Sequence, residues 1–445
     1  MNASMTSLSN CDQHPKRLRA RAVAAYAISM ALIATYASAQ SPLVRKDGSG
    51  TGANSWIGFV SGGNQATGIG SAVAAGSNNL ASGQSSFVAA GSFNQASGTS
   101  SLVIGGFDNH AIAIDSFVGG GAGNRATAAR SVVVGGGYNL ASGPWSFIGG
   151  GGRDGIASTT AGSITLDHIA AAKWSTIGGG QGNRAGTLAS QTGPTVAGGE
   201  QNQAVESDTA IGGGTQNLAS ALAATIAGGQ GNTASGVAAS VPGGAGNIAS
   251  GDYSVAAGRH AKTQTAGGSP HTGAFVFADS SNVDFNSAAA NEFAVRATGG
   301  VRLVTAISGT GAPTAGVSVA PGAGTWSTLS DRAAKQDLSA IDPARVLAQV
   351  AALPLYTWRY RSEVSQALHM GPTAQDFHSA FGLGDSDKTI ATVDADGVAF
   401  AAIQGLVGTL REQDAKLANQ AREFEDLTVR IKRLEQKTGG LTSPN

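Results

Sequence analysis

The chain has 445 residues, 66 of which are glycine, about twice the usual share. Charged residues make up 13% and the formal net charge is zero, which argues against a basic nucleic-acid-binding surface and against the highly charged composition of a disordered chain. Hydrophobic residues reach 41% but aromatic residues only 6%, so the composition favours a regular, glycine-rich fold over a conventional α/β enzyme.

Residues 1–39 have the pattern of a secretory signal peptide. Four basic residues come first: Lys16, Arg17, Arg19 and Arg21. An apolar stretch from Val23 to Tyr36 then leads to the small-residue cleavage site 37–39. A membrane anchor is the alternative, but the apolar stretch is shorter than the roughly 18 residues of a span. We therefore predict an exported mature chain that begins near Gln40, lacks the single cysteine Cys11 and has no later membrane span.

Residues 55–262 repeat with a period of 15. An asparagine marks each repeat in two blocks, with Asn183 nineteen residues before the second block: Asn64, Asn79, Asn94, Asn109, Asn124 and Asn139, then Asn202, Asn217, Asn232 and Asn247. In most repeats glycine stands three residues before the asparagine, alanine two after it, and valine or isoleucine nine after it. A fixed short period indicates stacked units that form a core only together.

Fifteen residues suit one coil of a β-solenoid, with two short strands and two tight turns. We expect asparagine and glycine in the turns because both tolerate positive φ, and valine and isoleucine pointing inward. Coils stack at roughly 4.8 Å, so about a dozen coils would form a rod about 60 Å long. A flexible glycine-serine linker is the alternative, and the periodic branched residues disfavour it.

Residues 155–174 interrupt the period with an insertion that contains Asp167 and His168. Such an insertion forms a loop on one face of a solenoid, either a binding loop or a neutral excursion. His110 and His260 occupy turn-like positions without carboxylates at ligand spacing. The sequence therefore predicts no metal site and no cofactor.

The repeated pattern of Asn, Ala-Ser-Gly, Ser and Val-x-Gly-Gly resembles the head of trimeric autotransporter adhesins, over about residues 55–260. The resemblance implies a left-handed parallel β-roll with three chains side by side, and an adhesion-like head. The regular surface, rich in serine and asparagine, suits a host glycan or a host surface protein as the partner. No nucleic-acid partner is expected.

A different pattern follows the repeats. Short alternating strands at 275–277, 293–295 and 301–303 predict a β connector over residues 272–308, and a Gly/Ala/Pro linker is predicted for 309–325. Further elements are a helix that starts at Asp342-Pro343, a strand over 355–360 and a helix over 374–381.

Residues 403–437 carry a heptad repeat. Apolar residues fill the five a positions and three d positions, and glutamine fills the other two d positions: Ile403, Leu410, Leu417, Phe424 and Ile431, then Leu406, Leu427 and Leu434, with Gln413 and Gln420. This seam predicts self-association through a coiled coil, in which the glutamine layers oppose slipped registers. A single helix packed on its own domain is the alternative, and the spacing does not fix the number of strands.

The residues before this seam carry a second resemblance. Ser330-Asp331, Lys335, the following helix and the segment His369-Met-Gly-Pro-Thr-Ala-Gln-Asp376, together with the coiled coil, resemble the peptidase S74 family. That family is the intramolecular chaperone domain at the C-terminus of phage endosialidases and tail fibres. The resemblance covers about residues 326–437, with the chaperone domain at 326–402, and Pro372 departs from the aromatic residue common in the family.

The peptidase S74 resemblance implies a domain that trimerises, guides folding of the upstream solenoid and cuts itself off between Leu329 and Ser330. Ser330 would be the nucleophile and Lys335 its base. Without the resemblance, Ser330 reads as a helix N-cap and Lys335 as a solvated helix residue.

Taken together, these patterns predict a mainly β protein: a trimeric solenoid of 15-residue repeats, a small α+β domain and a C-terminal coiled coil. The favoured function is an exported homotrimeric fibrous surface protein, secreted or held at the cell surface. A phage tail-fibre or spike protein is the alternative, and the predicted signal peptide disfavours it because phage particles assemble in the cytoplasm. An enzyme acting on external polysaccharide is disfavoured because the repeats leave no room for a separate catalytic domain. A trimerisation domain that no longer cleaves is the remaining alternative.

Overall fold

The computed structural model describes residues 52–58, 62–152 and 167–439. The proposed signal peptide, Cys11 and most of the predicted insertion lie outside these residues. The chain divides into two compact units, Met1–Ala297 and Thr298–Asn445.

The first unit is a parallel β-solenoid of about 15 coils, built from two sheets of very short strands. The strands of sheet A are Trp56–Ile57, Ala72–Val73, Phe87–Val88, Leu102–Val103, Phe117–Val118, Val132–Val133, Phe147–Ile148, Thr176–Ile177, Thr195–Val196, Ala210–Ile211, Thr225–Ile226, Ser240–Val241, Gly244–Ala245, Val255–Arg259, Phe275–Ala278 and Phe293–Arg296. The strands of sheet B are Gln65–Ala66, Leu80–Ala81, Gln95–Ala96, His110–Ala111, Arg125–Ala126, Leu140–Ala141, Ile169–Ala170, Arg184–Ala185, Gln203–Ala204, Leu218–Ala219, Thr233–Ala234, Ile248–Ala249, Ala261–Lys262 and Phe285–Asn286. The β-solenoid expected from the 15-residue period is confirmed, and its strands are parallel.

The core of the solenoid lies between the two sheets. In most strands the second residue is fully buried, and it is valine or isoleucine in sheet A and alanine in sheet B. Each inward side chain stacks on its equivalent in the next coil, as Val88 pairs with Val103. The prediction that the branched residues point inward is confirmed, and the small alanine opposite them fits a narrow interior.

The asparagines that mark the repeats stack on one another from coil to coil, and we call them the ladder asparagines. Their role differs from the turn role predicted. They do not adopt positive φ; the residue before them does, for example Phe93, Asp108 and Tyr138. The asparagine side chains are buried and join the coils instead. Asn109 Oδ1 accepts the N–H of Asn124 at 3.0 Å, and its Nδ2 donates to two backbone carbonyls at 2.8 Å. An amide is selected here because it supplies both an acceptor and two donors.

The interruption of the period is narrower than predicted. Ile169–Ala170 pairs with Leu140–Ala141 of the preceding coil and with Arg184–Ala185 of the next. Residues 167–174 therefore belong to the stack, and the rest of the predicted insertion lies outside the described residues.

The solenoid also extends past residue 262. Phe275–Ala278 and Phe293–Arg296 pair in parallel with the strand before each of them, so they continue sheet A. Their alternating pattern predicts a separate β connector over residues 272–308, whereas the structure places them in sheet A. The turns between them are longer, while the pairing is unchanged.

The second unit is small and mixed. Its elements are β1 (Val301–Ile307), β2 (Pro313–Val319), β3 (Ser327–Thr328), a 3-10 turn (Arg332–Ala334), α1 (Pro343–Ala352), β4 (Tyr356–Trp358), β5 (His369–Gly371), α2 (Ala374–Phe381) and α3 (Thr392–Gly439). β1, β2 and β3 form one antiparallel sheet, and β4 pairs with β5. The segment 309–325, predicted as a linker, thus contains a strand.

Side-chain caps fix the two short helices. The Asp342 carboxylate accepts the N–H groups of Ala344 and Arg345, and Pro343 occupies the first turn of α1. The Thr373 hydroxyl accepts the N–H of Asp376 at the start of α2, and Gly382 caps the C-terminal end of that helix. The predicted helix at 374–381 and the helix start at Asp342-Pro343 are confirmed.

The start of α3 packs on α1. Gly405 lies against the backbone carbonyl of Pro343, where a Cβ would collide with it, and Val398, Ala401 and Ala402 are buried. Every predicted a and d residue of the heptad seam is exposed in the single chain. By length and composition alone, Thr392–Lys437 is also apolar enough to cross a membrane, as core helices of soluble proteins can be. The coiled coil and the absence of a span therefore stay predictions.

Candidate self-cleavage site

The chain enters the candidate site along the edge of a sheet. β3 pairs with β2, and the next residue, Leu329, donates its N–H to the carbonyl of Gly316 at 3.0 Å. Ser330 is the first residue beyond this pairing. The peptide bond between Leu329 and Ser330 thus lies at the point where the chain leaves the sheet.

A short turn follows and brings Lys335 back towards the serine. The Asp331 carboxylate caps the 3-10 turn by accepting the N–H of Ala333 at 3.0 Å. The alternative reading of Ser330 as the N-cap is therefore wrong, because the neighbouring aspartate fills that role. The Ser330 hydroxyl is left for another partner.

That partner is Lys335. Its Nζ lies 2.6 Å from Ser330 Oγ and donates a hydrogen bond to it. Both side chains are exposed in the single chain. A serine hydroxyl is a weak nucleophile that needs an adjacent base, and the contact is short enough for a proton to pass directly between the two groups.

A second polar cluster lies on β5 and the loop before it. His369 Nε2 lies 2.9 Å from a Glu363 carboxylate oxygen, and the ring stacks on Trp358 and meets Tyr360 edge-on. The hydrogen bond from His369, assisted by one from Ser365, lowers the pKa of the Glu363 carboxyl. These contacts give His369 a local packing role, and His378 likewise makes a local contact of 2.8 Å with the Leu383 carbonyl.

Next to this cluster is an open cavity of about 640 Å³. Trp358, Tyr360 and Lys388 line it, and so does Pro372, the residue that departs from the family pattern. Neither Ser330 nor Lys335 lines the cavity. The departure at Pro372 therefore falls on this cavity and leaves the serine–lysine contact intact.

The solenoid histidines do contact carboxylates, contrary to expectation. His110 lies 2.9 Å from Asp108, and His260 lies 3.3 Å from Asp284. The pKa of Asp284 is lowered, mainly by its hydrogen bond from Lys262. Each histidine meets one carboxylate, and the described residues contain no group of three or more potential metal ligands. The absence of a metal site remains a prediction.

Comparison with known proteins bears on the second unit. Residues 330–382 match the Peptidase_S74 family, described as chaperone of endosialidase. The match begins at Ser330, the residue that contacts Lys335. No curated protein matched the chain. The peptidase S74 match covers no part of the solenoid, so the adhesin-like character of the repeats stays a prediction.

Two residues have structural roles that the sequence did not predict. Asp331 is the residue that caps the turn and so leaves Ser330 uncapped. His168 occupies the asparagine position of its coil and is fully buried. The spacing of fifteen residues between His168 and Asn183 marks His168 as the equivalent of a repeat asparagine, although it falls within the predicted insertion.

Proposed function

We propose that this chain is an exported homotrimeric fibrous surface protein with an adhesion-like head. Its C-terminal chaperone domain drives folding of the trimer and then cleaves itself off before Ser330. The observation that carries the proposal is the 2.6 Å contact between Ser330 Oγ and Lys335 Nζ at the first residue of the peptidase S74 match. The solenoid supplies the fibrous body.

The proposed reaction uses only groups of the chain and water. Lys335, as the neutral amine, takes the hydroxyl proton while Ser330 Oγ attacks the carbonyl carbon of Leu329. The Leu329–Ser330 C–N bond breaks, its nitrogen is protonated, and Leu329 becomes an ester on the serine oxygen. Water then hydrolyses this ester and leaves a Leu329 carboxylate and a free Ser330 amine.

Lys335 needs an environment with little solvent to act as a base, and we expect assembly to supply it. A lysine acts as a base only after losing its proton, and loss of solvent or a nearby positive charge favours the neutral amine. In the single chain Lys335 is exposed. We infer that contacts in the trimer remove solvent from the pair, which would make cutting follow correct assembly.

The position of the cut suits release of a finished product. β1, β2 and β3 all lie before Leu329, whereas the matched segment and α3 lie after it. Cleavage at this bond divides no strand or helix. The released solenoid fragment would keep the whole antiparallel sheet at its C-terminal end.

Intact-mass spectrometry of residues 40–445 tests this proposal. The wild type is expected to separate into residues 40–329 and 330–445, while Ser330→Ala remains whole. Ser327→Ala is the matched control, since it removes a nearby exposed hydroxyl in β3, and it should cleave like the wild type. A whole wild-type chain, or a cleaved Ser330→Ala variant, would contradict the proposal.

A trimerisation domain that does not cleave is the second candidate. The exposed heptad residues of α3 favour it, because they support association without any chemistry. It predicts an intact trimer of the wild type. A phage tail-fibre role shares this architecture, and the two locations differ: recovery of the intact protein from the cytoplasm of its source would favour the fibre of a phage.

A further inference from the structure

His168 is a histidine in a ladder otherwise made of asparagine. We call the asparagine position of each coil a rung of the ladder. His168 occupies the rung between Asn139 of the preceding coil and Asn183 of the next, as the register of the adjoining strands shows. It is fully buried. The side chain at each rung has to supply one hydrogen-bond acceptor and at least one donor, and here an imidazole has to meet that requirement.

The imidazole reproduces the asparagine contacts in one protonation state. His168 Nδ1 accepts the N–H of Asn183 at 3.0 Å, which takes the place of an asparagine Oδ1. Its Nε2 lies 3.0 Å from the carbonyl of Gly180 and donates to it, in the place of an asparagine Nδ2. Only the neutral Nε2–H form satisfies both contacts.

Protonation would break this arrangement. A proton on Nδ1 would face the N–H of Asn183 across 3.0 Å, so two donors would oppose each other and a charge would be buried. Burial lowers the pKa of His168, and the charge of Asp167 opposes that effect only in part. The chain therefore holds the imidazole neutral while the coil is closed.

The groups around His168 offer little to stabilise an imidazolium. The ring is surrounded mainly by uncharged backbone. Gly151 of the preceding coil and Gly180 of the next lie against it, and the backbone amide of Asn183 donates to it. Arg184 lies on the adjoining strand, and its positive charge would repel an imidazolium. Its Nε donates to the carbonyl of Gly186. Asp167 is the facing carboxylate among the described residues, and one of its oxygens already accepts the N–H of Gly182.

Two buried polar atoms at this coil are unsatisfied. Asn139 Oδ1 and the second oxygen of Asp167 are buried and have no hydrogen-bond partner among the described residues. Buried polar atoms without partners lower the free energy of unfolding of the segment that contains them. The rung therefore combines the titratable group with two polar atoms that the stack leaves unsatisfied.

We propose that the coil at His168 is an acid-labile joint of the solenoid, which opens when this imidazole binds a second proton. An opened coil exposes the ring, which then titrates near its ordinary value of about 6.5. The open state binds more protons than the closed one, so the joint is fully stable above about pH 7 and weakens as the pH falls through about 6.5. At pH 5 its opening equilibrium would rise by up to about 30-fold.

Hydrogen exchange of the full-length protein, compared at pH 7.5 and pH 5 after correction for the intrinsic rate, tests this joint. In the wild type, the amides of residues 167–185 are expected to exchange up to about 30-fold faster at pH 5. His168→Asn restores the ladder amide and should remove the increase. His110→Asn is the matched control, because His110 lies on the outer face of a strand, and it should keep the wild-type response.

A reciprocal variant keeps the test decisive. Asn217→His places an imidazole on another buried rung and should confer acid-labile exchange on the coils around residue 217. Equal pH responses of the wild type and His168→Asn would overturn the proposal. Unchanged protection of residues 167–185 between the two pH values in the wild type would overturn it as well.

Discussion

At the scale of single residues, buried asparagines join successive coils beside the apolar core. The ladder asparagines are buried and satisfy backbone groups of two successive coils. The sequence revealed their period but suggested a turn role, because asparagine is also common where φ is positive. Distinguishing the two roles required knowing where each N–H and C=O finds its partner, and the period does not contain that information.

At the candidate site, too, the sequence did not reveal which side chain takes which hydrogen-bond partner. The resemblance to the peptidase S74 family implied the pair of Ser330 and Lys335, and the structure places their side chains in contact. The cap could not be assigned from the sequence, because Ser330 and Asp331 are both good N-cap residues. The aspartate takes that role in the fold, and this leaves the serine hydroxyl to the lysine.

A charge-preserving substitution separates a base from a structural contact at position 335. Lys335→Arg retains donors that reach Ser330, but a guanidinium does not give up its proton near neutral pH. We expect cleavage to slow by about 10²- to 10⁴-fold, the range typical of a lost general base. The fraction cleaved over time, followed by intact mass, measures this effect. Wild-type cleavage by Lys335→Arg would show that the lysine is only a contact residue.

At the scale of elements, the coil is the unit that the sequence specifies well. Valine, isoleucine and alanine at fixed positions located nearly all of the two-residue strands between residues 65 and 249. The prediction failed where the turns lengthen, between Val255–Arg259 and Phe293–Arg296, because strand pairing tolerates a longer loop while a periodicity search does not. It also missed β2, whose many small residues resemble a linker.

Two adjacent glycines offer a test of how closely the coils stack. Gly136 has φ of 87°, and a Cβ there would collide with the carbonyl of Gly151 in the next coil, whereas a Cβ on Gly135 would meet open space. Gly136→Ala should lower the free energy of unfolding by about 2 kcal/mol or more. Gly135→Ala should change it by less than about 1 kcal/mol. Chemical denaturation of both variants measures the difference, and equal effects would contradict this coil geometry.

At the scale of the whole molecule, the two units have different requirements. The solenoid depends on contacts between neighbouring coils, so each coil is stabilised by the coils before and after it. The second unit instead leaves an apolar seam exposed along α3. We expect another copy of the chain to cover this seam, and the proposed cleavage depends on the same association. We therefore expect cutting to follow assembly.

Leu417→Asp is the substitution that tests this coupling most directly. It places a charge in the middle of the heptad seam, far along the chain from Ser330, and Ala415→Asp adds the same charge on the opposite, polar side of the helix as a control. Molar mass by light scattering reports association, and intact mass of the same sample reports cleavage. We expect the wild type and Ala415→Asp to form trimers and to be cut before Ser330, and Leu417→Asp to remain monomeric and whole. A monomeric Leu417→Asp chain that cleaves like the wild type would contradict the account.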